Sequence, residues 1–169
     1  MTVGPEEEAS RLRAGALGAI DGITSTAGVV IGVAAAGSTR SMLLIAGLST
    51  LVGGALSMGA GEYASVATGR DAEIVDGVPD SELANPWAAS VASGVAFTIG
   101  GIVPVLAVLL ASPGGRVVVA AVSVLVALVA AGIVSARLGN VSVRKAVART
   151  VIGGGIAMAA TWTVGVLAG

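Results

Sequence analysis

Five apolar runs, each near the roughly 20 residues a helix needs to cross the hydrocarbon of a bilayer, fill most of this 169-residue chain. They cover Ala14 to Ala36, Met42 to Thr68, Trp87 to Ala111, Val117 to Ala136 and Ala146 to Ala168, with breaks at Gly37 to Ser41, Gly69 to Pro86, Ser112 to Arg116 and Arg137 to Lys145. Charged residues make up 11% of the chain, whereas a soluble domain carries about 25%. Water cannot solvate such a chain as a globule. The expected fold is therefore all-α, five transmembrane helices in one domain spanning 1–169, with no room for a separate soluble unit.

Basic residues set the expected orientation, because they collect on the cytosolic side. With the N-terminus cytosolic, Arg11, Arg13, Arg70, Arg137, Arg144, Lys145 and Arg149 lie inside, and Arg40 and Arg116 lie across the membrane. Five crossings then place the C-terminus on the opposite side. Arg11 and Arg13 followed by an apolar run and Ala34 to Ala36 imitate a cleavable leader. That run exceeds a leader's apolar core of about 7–15 residues and holds an acid, so it reads as a retained span.

The acid is Asp21, within Ala14 to Gly37 (AGALGAIDGITSTAGVVIGVAAAG), where no Lys or Arg accompanies it. Ionisable groups at that depth are costly and mark function. In helical register Ala14, Gly18, Asp21, Ser25, Gly28 and Gly32 share a face, and Gly28–Gly32 is a GxxxG step of the kind that seats a second helix. Asp21 is thus expected in a helix interface. A competing reading makes Asp21 an N-cap; the remaining helix would then be about 24 Å long, short for the membrane.

The second run carries the other intramembrane acid. Thr50, Gly54, Met58 and Glu62 recur every four residues in this run, forming one stripe. Glu62 lies eight residues before Arg70 and Asp21 eight after Arg13, so both stand about 12 Å from the cytosolic ends of their helices. A shared depth permits a shared site. The plainer alternatives are a snorkelling or hydrogen-bonded Glu62, and a Met58 that fills a gap in the core.

Elsewhere the signals are weaker. Met1 to Ser10, with Glu6, Glu7 and Glu8, reads as a solvated lead or an exposed first turn, and Arg70 to Asn85, with five acids, as a solvated loop. Pro86 and Trp87 open the third run, where Pro104 is expected to kink its outer half. The fourth run, polar only at Ser123 and Ser135, reads as lipid-facing scaffold. Gly153 to Gly155 lack the Lys-Ser/Thr of a phosphate loop and read as close packing.

The residue inventory excludes much chemistry. Without Cys or His the chain has no disulfide, no thiolate or imidazole metal site and no His-activated nucleophile. Ser57, in ALSMG, has no base to activate it, and the spans hold no second Asp for an aspartyl protease. A net charge of −1 offers nothing to nucleic acid. What remains is a carboxylate pair in oil with no cationic neighbour, which must bind protons or a cation. That alternative is the basis of an exchanger. Two carboxylates and a thioether suit softer first-row ions, Fe²⁺ or Mn²⁺, over Mg²⁺ or Na⁺, making Asp21, Met58 and Glu62 the candidate metal ligands, with Ser25, Thr50, Gly54, Gly28 and Gly32 lining a path beside them.

Three segments, DGITSTAGVVIGVAAAG at Asp21 to Gly37, LSMGAGEYASV at Leu56 to Val66 and NPWAASVASGVAFTIGGIVPVL at Asn85 to Leu106, together with the spacing of all five spans, resemble the vacuolar iron transporter (VIT or CCC-type) family in its nodulin-like and bacterial form. The resemblance covers nearly the whole chain. It implies a five-helix homodimer whose path at the two-fold interface exports cytosolic Fe²⁺, and often Mn²⁺, in exchange for protons. By position, Asp21 and Met58 match the family's membrane carboxylate and methionine, and Glu62 the acid of its GEY or GEF form. The plant vacuolar form has acids where this chain has Thr50 and Ala14, and inserts a Glu-rich cytosolic metal-binding domain where this chain has only Gly69 to Pro86.

The expected function is proton-coupled export of divalent metal by a homodimer in which the glycine face of the first helix brings two copies of Asp21 together. The expected membrane is a bacterial inner membrane, or the vacuolar membrane in a eukaryote. A passive cation channel and a non-transporting scaffold or regulatory subunit are the rival readings.

Overall fold

A computed structural model describes residues 5–169, all but the first four residues of the acidic lead. The chain forms five long helices: α1 (Pro5–Ala35), α2 (Arg40–Val75), α3 (Pro86–Leu110), α4 (Arg116–Leu138) and α5 (Val143–Ala168). Short 3-10 turns at Asp80–Glu82 and Pro113–Gly115 precede α3 and α4, and no strand occurs among the described residues. All five helices are long and apolar enough to cross a membrane, so this is an integral, multi-pass membrane protein.

Local chemistry sets the helix ends. Gly37 (φ 72°) and Gly77 (φ 82°) take the left-handed conformation that stops α1 and α2, and the Val78 N–H closes the α2 terminus on the Glu73 carbonyl at 3.0 Å. Thr39 caps α2, its Oγ1 accepting from the Met42 N–H at 3.3 Å. Asn85 caps α3 by accepting from the Trp87 and Ala88 N–H groups, with Pro86 in the first turn, where its missing donor costs nothing.

The helices outrun the apolar segments. α1 begins at Pro5 rather than Ala14, taking the described part of the acidic lead into its first turns, and passes through Asp21 unbroken, which removes the N-cap alternative. α2 continues past Gly69 to Val75; its 36 residues span about 54 Å, well beyond a hydrocarbon core of roughly 30 Å. Asp71 and Glu73, expected in a loop, therefore stand on an exposed helical extension. α3 runs through the buried Pro104 to Leu110 without interruption.

α1 is the hub and touches all the other helices, most extensively α3. Its small residues allow this: a Cβ on Gly18 or Gly22 would strike the backbone of Ser93 or Phe97 on α3. α4 buries one stripe at four-residue spacing, Ala120, Val124, Leu128, Gly132 and Ala136, while Val118, Val122 and Val126 remain exposed. The Gly triplet of α5 divides: Gly154 admits the Leu128 side chain, whereas Gly153 and Gly155 face open space.

Candidate metal-binding groove

Because α1 and α2 both pack mainly on α3 rather than on each other, a groove remains between them. Its cavity of about 690 Å³ is lined by Leu17, Asp21 and Ser25 of α1, by Phe97 of α3, and by a two-residue-wide band of α2 that includes Thr50, Gly54, Met58 and Glu62. Four-residue spacing on each helix puts these side chains on the facing surfaces. The candidate ligands Asp21, Met58 and Glu62, and the lining candidates Ser25, Thr50 and Gly54, thus share one cavity. Met58 faces the groove; the methionine in the hydrophobic core is Met158.

Asp21, Met58 and Glu62 are each half-buried. Ser25 donates its hydroxyl to Asp21 Oδ1 at 2.8 Å, fixing the carboxylate and leaving its other oxygen uncommitted by that bond. Thr50 Oγ1 donates to the Ala46 carbonyl at 2.8 Å, so its hydrogen is spent within the helix. Among the described residues the ion pairs are Glu7 with Arg11 and Asp80 with Arg70. Neither intramembrane acid is neutralised by them. No cluster of three or more acids gathers among these residues either; one protomer supplies the groove with two carboxylates and a thioether.

A second cavity of about 600 Å³ adjoins the first, and Leu17 and Glu62 line both. Arg13, Arg70, Glu73 and Glu82 are on its walls. The groove therefore continues, through Glu62, to the end of the bundle where the charged residues stand. Arg70 braces that mouth, its guanidinium donating to the Asp80 carboxylate at 3.2 Å and to the Ala84 carbonyl at 3.4 Å.

Gly28 and Gly32 are placed elsewhere, which corrects their expected role. Gly28 lies under Thr161, and Gly32 against Thr161 and Gly165, all on α5. The same face of α1 is open to the groove at Asp21 and Ser25 and covered by α5 beyond them. The GxxxG step is consumed inside the protomer and is not free to seat a second α1. Sequence reasoning missed Leu17, Phe97 and the second α2 stripe, Ser49, Ser57, Gly53 and Gly61. That stripe has the same four-residue spacing, one position earlier, and was legible as a row of small residues.

Comparison with known proteins agrees with this architecture. A sequence profile described as the VIT family matches residues 12–77 and 75–166. "Vacuolar iron transporter homolog 5" of Oryza sativa subsp. japonica is 38% identical over 163 residues, covering 91% of this chain and 78% of that protein. "Vacuolar iron transporter homolog 2.1" of Arabidopsis thaliana is 38% identical over 176 residues, covering 92% and 80%. With the matched segments holding both halves of the groove, the chain belongs to the VIT family.

Proposed function

We propose that this protein is a secondary transporter, not an enzyme, that exports Fe²⁺, and also Mn²⁺, from the cytosol in exchange for protons. The observation that carries the reading is the groove itself: Asp21, Met58 and Glu62 on one cavity, without a lysine or arginine paired to either acid. Two half-buried carboxylates without a paired base form a donor set for a cation, the thioether biases the choice toward first-row transition ions, and protons are the exchanging ion in this reading. The names of the relatives, vacuolar iron transporter homologs, support iron as the cargo. The adjoining cavity, reaching the end that carries Arg13 and Arg70, is then the cytosolic mouth, with the N-terminus inside and the C-terminus across the membrane.

A metal ion of this class takes more ligands than two carboxylates and one sulfur, and a second protomer across a two-fold axis doubles the set. α1 cannot make that contact through Gly28 and Gly32. α2 can: Ser49, Gly53, Ser57 and Gly61 form an exposed row beside the acids, and a Cβ on Gly53 or Gly61 would meet nothing within 4 Å beyond its own helix. Small residues at four-residue spacing permit close helix approach in lipid. The working unit is accordingly a homodimer joined along α2. It resides in a bacterial inner membrane, or in the vacuolar membrane if the source is eukaryotic.

Vesicles containing the purified protein and an internal pH dye test the reading. An Fe²⁺ gradient should drive proton movement in the opposite direction, and Asp21→Asn should abolish it. Unchanged exchange in that variant contradicts the assignment, and metal flux indifferent to a pH gradient favours a passive channel.

A further inference from the structure

Five charged side chains line the cavity at the mouth: Glu62, Glu73 and Glu82, and with them Arg13 and Arg70. The two bases are held differently. Arg70 donates to the Asp80 carboxylate at 3.2 Å and to the Ala84 carbonyl at 3.4 Å, both in the connection between α2 and α3, whereas Arg13 forms no ion pair among the described residues. Leu83, 5% exposed, seats that connection in the bundle, and its 3-10 turn lies against α1. The turn thus presents Glu82 to the cavity and Asp80 to Arg70.

Asp80 itself does not line the cavity, and its side chain is 86% exposed. An ion pair so exposed adds little to stability. What it changes is the charge that an arriving cation meets. Without Asp80, the Arg70 guanidinium has other carboxylates at hand: Glu73 is three residues further along α2, a spacing that brings side chains together, and Glu62 and Glu82 share the cavity. A base resting on any of them opposes the approach of a metal ion.

We propose that Asp80 is a positioning residue for transport: by holding the Arg70 guanidinium it keeps that charge off Glu62, Glu73 and Glu82, so that the mouth admits divalent metal at low concentration. The inference rests on the transport reading above, which makes this cavity the entry side. A pair that only pinned the α2–α3 connection would fail alike whichever partner were removed. A pair that holds charge would not, because losing Asp80 frees a cation in the mouth and losing Arg70 removes one.

Initial rates of Fe²⁺ transport by the full-length protein in sealed vesicles, over a range of Fe²⁺ concentrations, give KM and kcat for each variant. Asp80→Asn should raise KM about threefold with kcat near wild type, and Asp80→Glu, which keeps the charge, should stay near wild type in both. Arg70→Gln should lower KM, and the double variant Asp80→Asn with Arg70→Gln should return it close to wild type. Asp76→Asn removes an equal charge from the same connection without breaking an ion pair among the described residues, so it should raise KM by less than about 1.5-fold. Added salt should shrink all of these differences. An unchanged KM in Asp80→Asn, an equal rise in Arg70→Gln or Asp76→Asn, or a double variant no better than Asp80→Asn alone would overturn the inference while leaving wild-type exchange in place. Wild-type vesicles that move no metal would instead defeat the transport reading, and this inference with it.

Discussion

Ser25 Oγ donates a 2.8 Å hydrogen bond to Asp21 Oδ1, one turn away on the same helix and inside the same groove. A hydrogen bond to a charged acceptor contributes about 1.5–3 kcal/mol, enough to hold the carboxylate in one rotamer against the pull of a passing ion. Ser25→Ala should therefore weaken metal binding by about tenfold and raise the half-saturating metal concentration for flux. Ser25→Thr, which keeps the hydroxyl, should stay close to wild type.

Met58→Leu separates ligation from packing. The two side chains have similar volume, and such swaps cost less than about 1.5 kcal/mol, so the melting temperature should barely move. Metal binding by the purified protein, followed by calorimetry, should nonetheless lose affinity for Fe²⁺ and Mn²⁺, because the soft donor is gone. Undiminished affinity would reassign Met58 to packing.

Two glycines should respond in opposite ways. A methyl at Gly22 would meet the Phe97 backbone, which cannot yield as a flexible side chain would. Gly22→Ala is expected to destabilise the protomer by about 1–3 kcal/mol or more, visible as a lower melting temperature in detergent.

Gly53 has open space around it within the protomer. Gly53→Leu should leave the melting of the isolated protomer nearly unchanged, since the position is exposed and a Cβ there meets nothing within 4 Å. If α2 forms the two-fold contact, the same substitution should shift the mass measured by light scattering from dimer toward monomer.

Gly54→Ala probes the groove at Phe97. Its new methyl would push on the Phe97 ring, and overpacking of this kind should lower metal flux by about tenfold. Combining it with Phe97→Leu should restore much of the loss.

The spans were legible because hydrocarbon selects long apolar runs, and the structure places its five helices on them. The helix ends were not legible from hydropathy. α1 and α2 continue into water through residues such as Glu8, Arg11, Asp71 and Glu73, which are compatible with helix but break an apolar run. The four-residue spacing of Thr50, Gly54, Met58 and Glu62 correctly put them on one face. A small-residue face says that something approaches closely without saying what: Gly28 and Gly32 receive α5, not a second α1. Phe97 gave no signal at all, because one aromatic in an apolar helix looks like any other core residue until the neighbouring helices are in place.

Anomalous diffraction from crystals of the protein soaked in Fe²⁺, collected at the iron edge, bears most directly on the claim that the α1–α2 groove holds the metal. The account predicts a peak within bonding distance of the Asp21 carboxylate and the Met58 sulfur, with Glu62 beside it, and its loss in Asp21→Asn. Iron bound only outside the groove, or a peak that survives Asp21→Asn unchanged, would contradict it.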